Sequence, residues 1–229
     1  MRNNFKQMDA SSRWQIMVGA AVAAMEKNHG WKMSRRPGRG LSNTWLMEKD
    51  GQTFTASIRT SQDRWLAFPP LNAGQKWKTL DDVQKVIVAT VDNPQDPDLI
   101  EVYLFEQPEV RARFDKAYQA RKAAGHLIKD NFGFWVNLDT DNRRDATYNT
   151  GAGLADIHQP ISRLEIDTFA SHPANAATIA KIGDPNEADD SEAPDFKTVG
   201  GVMAWARSTI SRLADVPIDA VKLDLKIQY

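Results

Sequence analysis

Apolar residues recur at three- and four-residue spacing in two stretches of the chain. The first stripe follows two serines, which suit a helix N-cap, and stops at Gly30; the second follows Pro108 and stops at Gly125. This spacing puts apolar side chains on one face of an α-helix, while proline suits the first helical turn and glycine the end. The pattern therefore predicts two main helices, over about 12–29 and about 108–124.

Other segments carry the period-two alternation or the short β-branched runs that are typical of strands. Asp50-Gly51 favours a two-residue hairpin turn, so its two flanking segments are predicted to pair, and segment 64–68 to complete an antiparallel meander. Two later runs are apolar throughout, which favours strands covered on both faces. The predicted strands are 44–49, 52–60, 64–68, 86–91, 99–105 and 132–138.

The periodicity ends in the last third of the chain. Residues 183–195 include six acids and two prolines, so 166–198 is predicted to be an acidic linker or a long surface loop. An apolar stripe and a final alternation then predict a helix–strand tail over 199–229, which docks on the main domain or on a partner. The predicted fold is α+β, with a main domain over 1–165 whose mostly antiparallel sheet has five or six strands.

The amino-acid composition limits the kinds of functional site that the chain can form. The 229 residues are 41% hydrophobic, which is enough apolar material for a packed core, and they include no cysteine. The missing thiols exclude disulfides, thiolate metal sites and cysteine nucleophiles. The apolar stretch Ile16–Met25 is about half the length of a membrane-spanning helix. We therefore expect no membrane partner and a cytoplasmic location.

The net charge of -1 conceals a strong asymmetry along the chain. Residues 1–80 carry 13 basic and 5 acidic side chains, whereas residues 126–200 carry 6 basic and 13 acidic ones. Five of the seven tryptophans lie in the basic third. Cations that reach phosphates and aromatic rings that stack on bases are what single-stranded nucleic acid requires. The alternative is that the tryptophans form the core and the charges form a solvated face.

The leading hypothesis from these features is a nucleic-acid-associated protein, with DNA or RNA as its partner. A basic loop with two glycines and a proline follows the first helix and carries three of the candidate arginines. Guanidinium groups bind phosphates through several donors at once. The predicted phosphate-binding residues are Arg35, Arg36, Arg39, Arg59 and Arg64.

The predicted order of helix, three strands, helix and strand resembles the αβββαβ core of restriction-endonuclease-like enzymes. The resemblance implies an acid on one strand and a Glu/Asp-x-Lys element on the next, which here correspond to Asp82 or Asp92 and to Glu101, with Glu26 as an additional ligand. Such carboxylates suit Mg²⁺, the one cofactor that any of these hypotheses requires. Tyr103 stands where the family has its lysine, so a degenerate, non-cleaving relative fits at least as well as an active enzyme.

Two further features leave alternatives open. The terminal strand 220–228 favours a second hypothesis, a non-catalytic protein-interaction subunit that adds this strand to a partner's sheet or to a second copy. The acidic stretch 183–195 is a solvated linker, a mimic of nucleic acid that covers the basic third, or a binding segment for a basic partner. The four scattered histidines and the glycine segment 150–153 match no zinc, triad or phosphate-loop spacing.

Overall fold

The computed structural model describes residues 5–36, 44–141 and 143–182, together with 203, 206, 207 and 221–223. It confirms the α+β class. The helices are α1 (Ala10–Ala23), α2 (Gln107–Ala123), α3 (Ala146–Asn149), α4 (Leu154–Ile157), α5 (Ile166–Ser171) and α6 (Pro173–Lys181). None of the helices described is long and apolar enough to cross a membrane.

The two main helices begin and end near the predicted residues. Asp9 caps α1, because its carboxylate accepts the backbone N–H of Ser12 at 2.9 Å. A π-helical turn, Ala24–Asn28, extends α1 towards Gly30, which has a φ of +68°. At α2, Pro108 lies in the first turn, where its missing N–H costs no hydrogen bond.

A six-stranded sheet forms the centre of the molecule. The strands of the chain are β1 (Lys32–Arg35), β2 (Thr44–Lys49), β3 (Gln52–Ser61), β4 (Trp65–Ala67), β5 (Pro70–Leu71), β6 (Lys76–Trp77), β7 (Lys85–Val91), β8 (Leu99–Glu106), β9 (Trp135–Asn137) and β10 (Ser162–Glu165). The sheet order is β1-β2-β3-β7-β8-β10, and every neighbouring pair is antiparallel except β3 and β7. The predicted mostly antiparallel sheet is thus confirmed.

Each face of the sheet carries its own apolar cluster. The α1-side cluster contains most of α1, while the α2-side cluster contains Phe114 and Trp77. Successive residues of β7 alternate between the two clusters: Ile87 belongs to the α1 side, whereas Val86 and Val88 belong to the α2 side. This double burial explains why 86–91 reads as an uninterrupted apolar run.

The predicted meander of three strands is wrong in its third member. β4 pairs antiparallel with β9 in a separate two-stranded sheet, rather than with β3. The two edges of β3 are already occupied, because β2 pairs on one side and β7 on the other. A left-handed residue, Arg64 at φ +64°, redirects the chain just before β4.

The structure also differs from the predicted linker over 166–182. These residues form α5 and α6, whose Ile166 and Phe169 are buried in the α1-side cluster. Gly19 of α1 allows this approach, because a Cβ there would lie 2.9 Å from a side-chain carbon of Ile179. The rest of the predicted linker, 183–198, and nearly all of the predicted tail, 199–229, lie outside the described residues.

Candidate functional site

A cavity of about 500 Å³ opens where the ends of β3 and β4 meet α1. It is lined by three tryptophans from different elements and by polar residues of β3 and the turn that follows it. Its principal lining residues are Trp14, Trp65, Trp135, Arg59, Asp63 and Pro94. We call this site the tryptophan cavity.

The β4–β9 pair presents aromatic rings to the cavity. Side chains alternate across a strand, so Leu66 and Val136, each 1% exposed, face the α2-side cluster. Trp65 and Trp135 therefore face the opposite way, and Trp135 is 43% exposed. Phe132, itself 64% exposed, packs edge-on against Trp135 with ring centroids 6.4 Å apart. Large aromatic rings that are this accessible need a functional explanation.

Arg59 supplies the cavity with an uncompensated positive charge. The side chain is half-buried and its guanidinium lies 4.4 Å from the Phe68 ring centroid. Its Nε is enclosed and makes no hydrogen bond within the described part of the chain. Burial lowers the pKa of Arg59 to about 10, and no described carboxylate forms an ion pair that would oppose the shift. Buried charges in proteins are normally paired, so Arg59 is an exception.

The Asp63 carboxylate also lines the cavity, but it accepts hydrogen bonds from the turn after β3 and forms no ion pair with Arg59. One oxygen accepts the Ser61 hydroxyl at 3.0 Å and the backbone N–H of Trp65 at 3.2 Å. These bonds fix the turn that leads from β3 into β4. They hold the backbone from which the Trp65 ring projects, and so contribute to the shape of the cavity.

Arg64 anchors the same turn through a cluster of ion pairs. It donates to Asp139 at 2.6 and 2.9 Å, to Glu101 at 2.9 Å and to the carbonyl of Val91 at 2.8 Å. The Tyr103 hydroxyl donates to Glu101 at 2.8 Å. The protein itself uses the donors of Arg64, which leaves none for the phosphate predicted there. In this structure the ion pairs of the Arg64 side chain fix the backbone directly before Trp65.

Glu101 is the acid at the centre of this cluster. Burial alone would raise the pKa of Glu101, but hydrogen bonds from Arg163, Tyr103 and Arg64 outweigh it and lower the pKa below its ordinary value. The carboxylate is therefore ionised at neutral pH and is fully engaged by protein donors. This arrangement is typical of a structural ion pair and unlike a proton-transfer group.

The other predicted arginines lie elsewhere. Arg35 donates to the carbonyl of Ile182 at 2.7 Å, at the end of α6. Arg36 is exposed directly after β1. Arg39 lies outside the described residues. Of the four predicted arginines that the structure describes, Arg59 alone lines the tryptophan cavity.

The structure does not bring the predicted magnesium ligands together. Asp82 pairs with Lys76 at 3.2 Å, and Asp92 accepts the backbone N–H groups of Asp98 and Leu99 at the turn between β7 and β8. Glu101 belongs to the Arg64 cluster. Within the ranges described, no group of three or more His, Asp or Glu residues could hold a metal ion. The additional candidate, Glu26, accepts the backbone N–H of Met33 at 3.4 Å.

The tryptophans divide between core and site. Trp45 and Trp77 are buried, as the structural alternative expects, whereas Trp14 and Trp65 line the cavity. The sequence reasoning missed Trp135, although a strand was predicted over 132–138. The signal was present in that strand, because its alternation puts Trp135 on the face opposite Val136.

Comparisons of this chain with protein-family models, with curated proteins and with solved structures find no match. A function for the protein is therefore inferred from the chemistry of the cavity.

Proposed function

We propose that this protein binds single-stranded nucleic acid, with bases in the tryptophan cavity and a phosphate against Arg59. The observation that carries the proposal is a half-buried guanidinium beside three tryptophans that forms no ion pair with any described residue. A nucleotide combines the two groups that suit this lining, a phosphate that can pair with Arg59 and a planar ring that can stack on a tryptophan. Binding would supply Arg59 with hydrogen-bond acceptors and cover exposed ring surface in one step.

The size and openness of the cavity support a nucleotide unit as its occupant. Its volume of about 500 Å³ lies within the range of small-ligand sites. Stacking of a base on an aromatic side chain contributes about 1–3 kcal/mol and tolerates any base. Bases in a duplex already stack on each other and present only their edges, so the site favours single strands.

Arg59 argues against an apolar protein segment as the occupant. Such a segment would cover the tryptophans and offer backbone carbonyls as acceptors, but it would leave the guanidinium buried without a counter-charge. Removing water from an unpaired charge is costly, and that cost opposes binding. An anionic ligand removes the same cost, which favours the nucleic-acid hypothesis over the protein-interaction hypothesis at this site.

The test is a titration of labelled single-stranded DNA and RNA, and of a matched duplex, with the purified full-length protein at low and moderate salt. We expect single strands to bind more tightly than the duplex, with affinity that falls as salt rises. Trp65→Ala should weaken binding by about tenfold or more, the equivalent of one lost stacking contact. Arg59→Gln should also weaken it.

Trp31→Ala is the matched control. Trp31 is half-buried like Trp65, but it packs edge-on against Phe54 and does not line the cavity. Its loss should leave the affinity unchanged. The proposal fails if no polynucleotide binds at low salt, or if Trp65→Ala and Arg59→Gln bind as the wild type does.

A further inference from the structure

A second depression in the described structure is open and cationic. It has a volume of about 530 Å³ and takes Arg113 and Lys116 from α2 and Arg144 from the turn before α3. No carboxylate is among the described residues that line it. We call it the cationic groove. Its polar lining includes Thr140, Asn149 and Thr150, although the Asn149 amide and the Thr150 hydroxyl already donate to the carbonyls of Asp141 and Ala146.

Arg144 joins the groove to the tryptophan cavity. Its guanidinium carbon lies 4.9 Å from the centroid of the Trp65 ring, and Trp65 itself lines the cavity. Arg144 also lines the groove and pairs with Asp141 at 3.4 Å. A guanidinium that stacks on a ring holds that ring in place and keeps its own charge at the boundary between the two sites.

Close packing holds the wall of the groove against α2. Gly151 has a φ of +88°, and a Cβ there would lie 2.3 Å from the carbonyl oxygen of Arg113. Arg113 in turn donates to the carbonyl of Ala152 at 2.5 Å. Neither Arg113 nor Lys116 forms an ion pair with any described residue. Arg113 is thus held in the wall and Lys116 is exposed beside it, and neither charge is paired with a described carboxylate.

We infer that the tryptophan cavity and the cationic groove form one continuous path, and that its ligand is a single-stranded oligonucleotide of several units rather than a mononucleotide. The inference rests on the proposed function and names the ligand class of that site. Bases stack in the cavity, while the phosphates of neighbouring units lie against Arg144, Arg113 and Lys116. A backbone with one negative charge per unit matches a row of cations in a way that a single phosphate cannot.

The experiment compares thymidine monophosphate with a series of homothymidine strands of increasing length on the full-length protein. Affinity should rise with length until the strand spans both sites, because each added phosphate meets a further cation. Lys116→Glu should weaken binding of the long strands by about tenfold and reduce the salt dependence of log affinity by about one unit. Binding of the monophosphate should stay unchanged.

Lys122→Glu is the matched control, since Lys122 lies on the same helix, is exposed and does not line the groove. Both variants change the net charge equally, so a general electrostatic effect would act on both. The inference is overturned if long strands bind no more tightly than the monophosphate, or if Lys116→Glu and Lys122→Glu weaken binding alike. Failure of the proposed function looks different, because neither ligand then binds the wild-type protein.

Discussion

At the scale of single residues, Arg59 lowers the stability of the protein, and the proposed oligonucleotide binding depends on the same charge. Its half-buried side chain has no acceptor among the described residues, and the enclosed Nε–H without a hydrogen bond costs free energy in the unliganded protein. Arg59→Met keeps an unbranched chain against the Phe68 ring while removing the charge. We expect this variant to raise the free energy of unfolding by about 1–2 kcal/mol, in the range of other stabilising substitutions, and to lose oligonucleotide binding.

Urea unfolding of the two proteins without ligand measures this difference in stability. The same unfolding with an oligonucleotide present tests whether each protein binds it. The ligand should stabilise the wild type and leave Arg59→Met unchanged, because binding to the folded state alone shifts the unfolding equilibrium. A methionine variant that is less stable than the wild type would contradict the view that the charge is unsatisfied.

Glu101 illustrates the opposite case, a buried charge with its partners in place. The lowered pKa of its carboxyl means that the folded state stabilises the ionised form. This stabilisation is complete above the ordinary carboxyl pKa of 4.5 and is lost as the pH falls through the lowered value. We expect Glu101→Gln to destabilise the protein by about 2–3 kcal/mol at neutral pH, since Arg64 loses one of its two acids and the half-exposed Arg163 loses its partner.

Denaturant unfolding at neutral and acidic pH tests the role of Glu101. The difference between Glu101→Gln and the wild type should shrink as the pH is lowered, because the wild-type carboxyl also becomes neutral. Glu48→Gln provides the comparison, since Glu48 pairs with the exposed Lys32 and should contribute about 0–1 kcal/mol. A gap between Glu101→Gln and the wild type that is constant at every pH would exclude this explanation.

At the scale of elements, two glycines allow the stability cost of a left-handed backbone to be distinguished from the cost of a steric clash. Gly125 and Gly151 both have left-handed backbones, with φ of +81° and +88°. Open space surrounds Gly125, whereas the main chain of α2 lies against Gly151. Gly125→Ala should cost about 1 kcal/mol, the penalty for a left-handed alanine, and Gly151→Ala should cost about 3 kcal/mol or more. Thermal unfolding of both variants measures the difference, and equal losses would contradict the contact.

The elements that sequence analysis predicted are those whose pattern depends on local geometry. The stripe before Gly30 and the apolar run at 86–91 record burial on one helix face or on both strand faces. The third strand of the meander failed because strand pairing depends on which edges are free, and β7 occupies the edge of β3 by a long crossover. The helices over 166–182 were not predicted, because their alanines and prolines give no clear apolar stripe at helical spacing.

The candidate site divides in the same way. Arg59 was predicted from charge, and Trp65 from its residue type in the basic third. Arg64 was grouped with Arg59, but the two side chains have different surroundings, since Arg64 meets Asp139 and Glu101 across the fold. Contacts at such separations leave no periodic trace. Arg144 was missed for the same reason, because a tertiary contact with Trp65 places it.

At the scale of the whole molecule, the uneven charge along the chain affects association with a polyanion. The stretch 183–195 lies outside the described residues, yet its six acids contribute to the long-range field. A variant with all six changed to amides should bind single-stranded oligonucleotides with a faster association rate at low salt. Stopped-flow fluorescence measures this rate. The difference should vanish at high salt, where charges beyond the screening length do not interact, and equal rates at low salt would contradict it.

The two clusters on opposite faces of the central sheet imply a gradient of hydrogen exchange through the protein. Amides of β7, which lie between β3 and β8 and are covered on both sides, should exchange with solvent deuterium only when the whole domain unfolds. Amides of the three-residue strands β4 and β9 should exchange through small local openings, since a two-stranded pair is marginal by itself. The Trp65 and Trp135 rings of the proposed site thus stand on strands that open at a lower free-energy cost than β7. A bound oligonucleotide would first slow the hydrogen exchange of the β4 and β9 amides, while the exchange rates in β7 would hardly change.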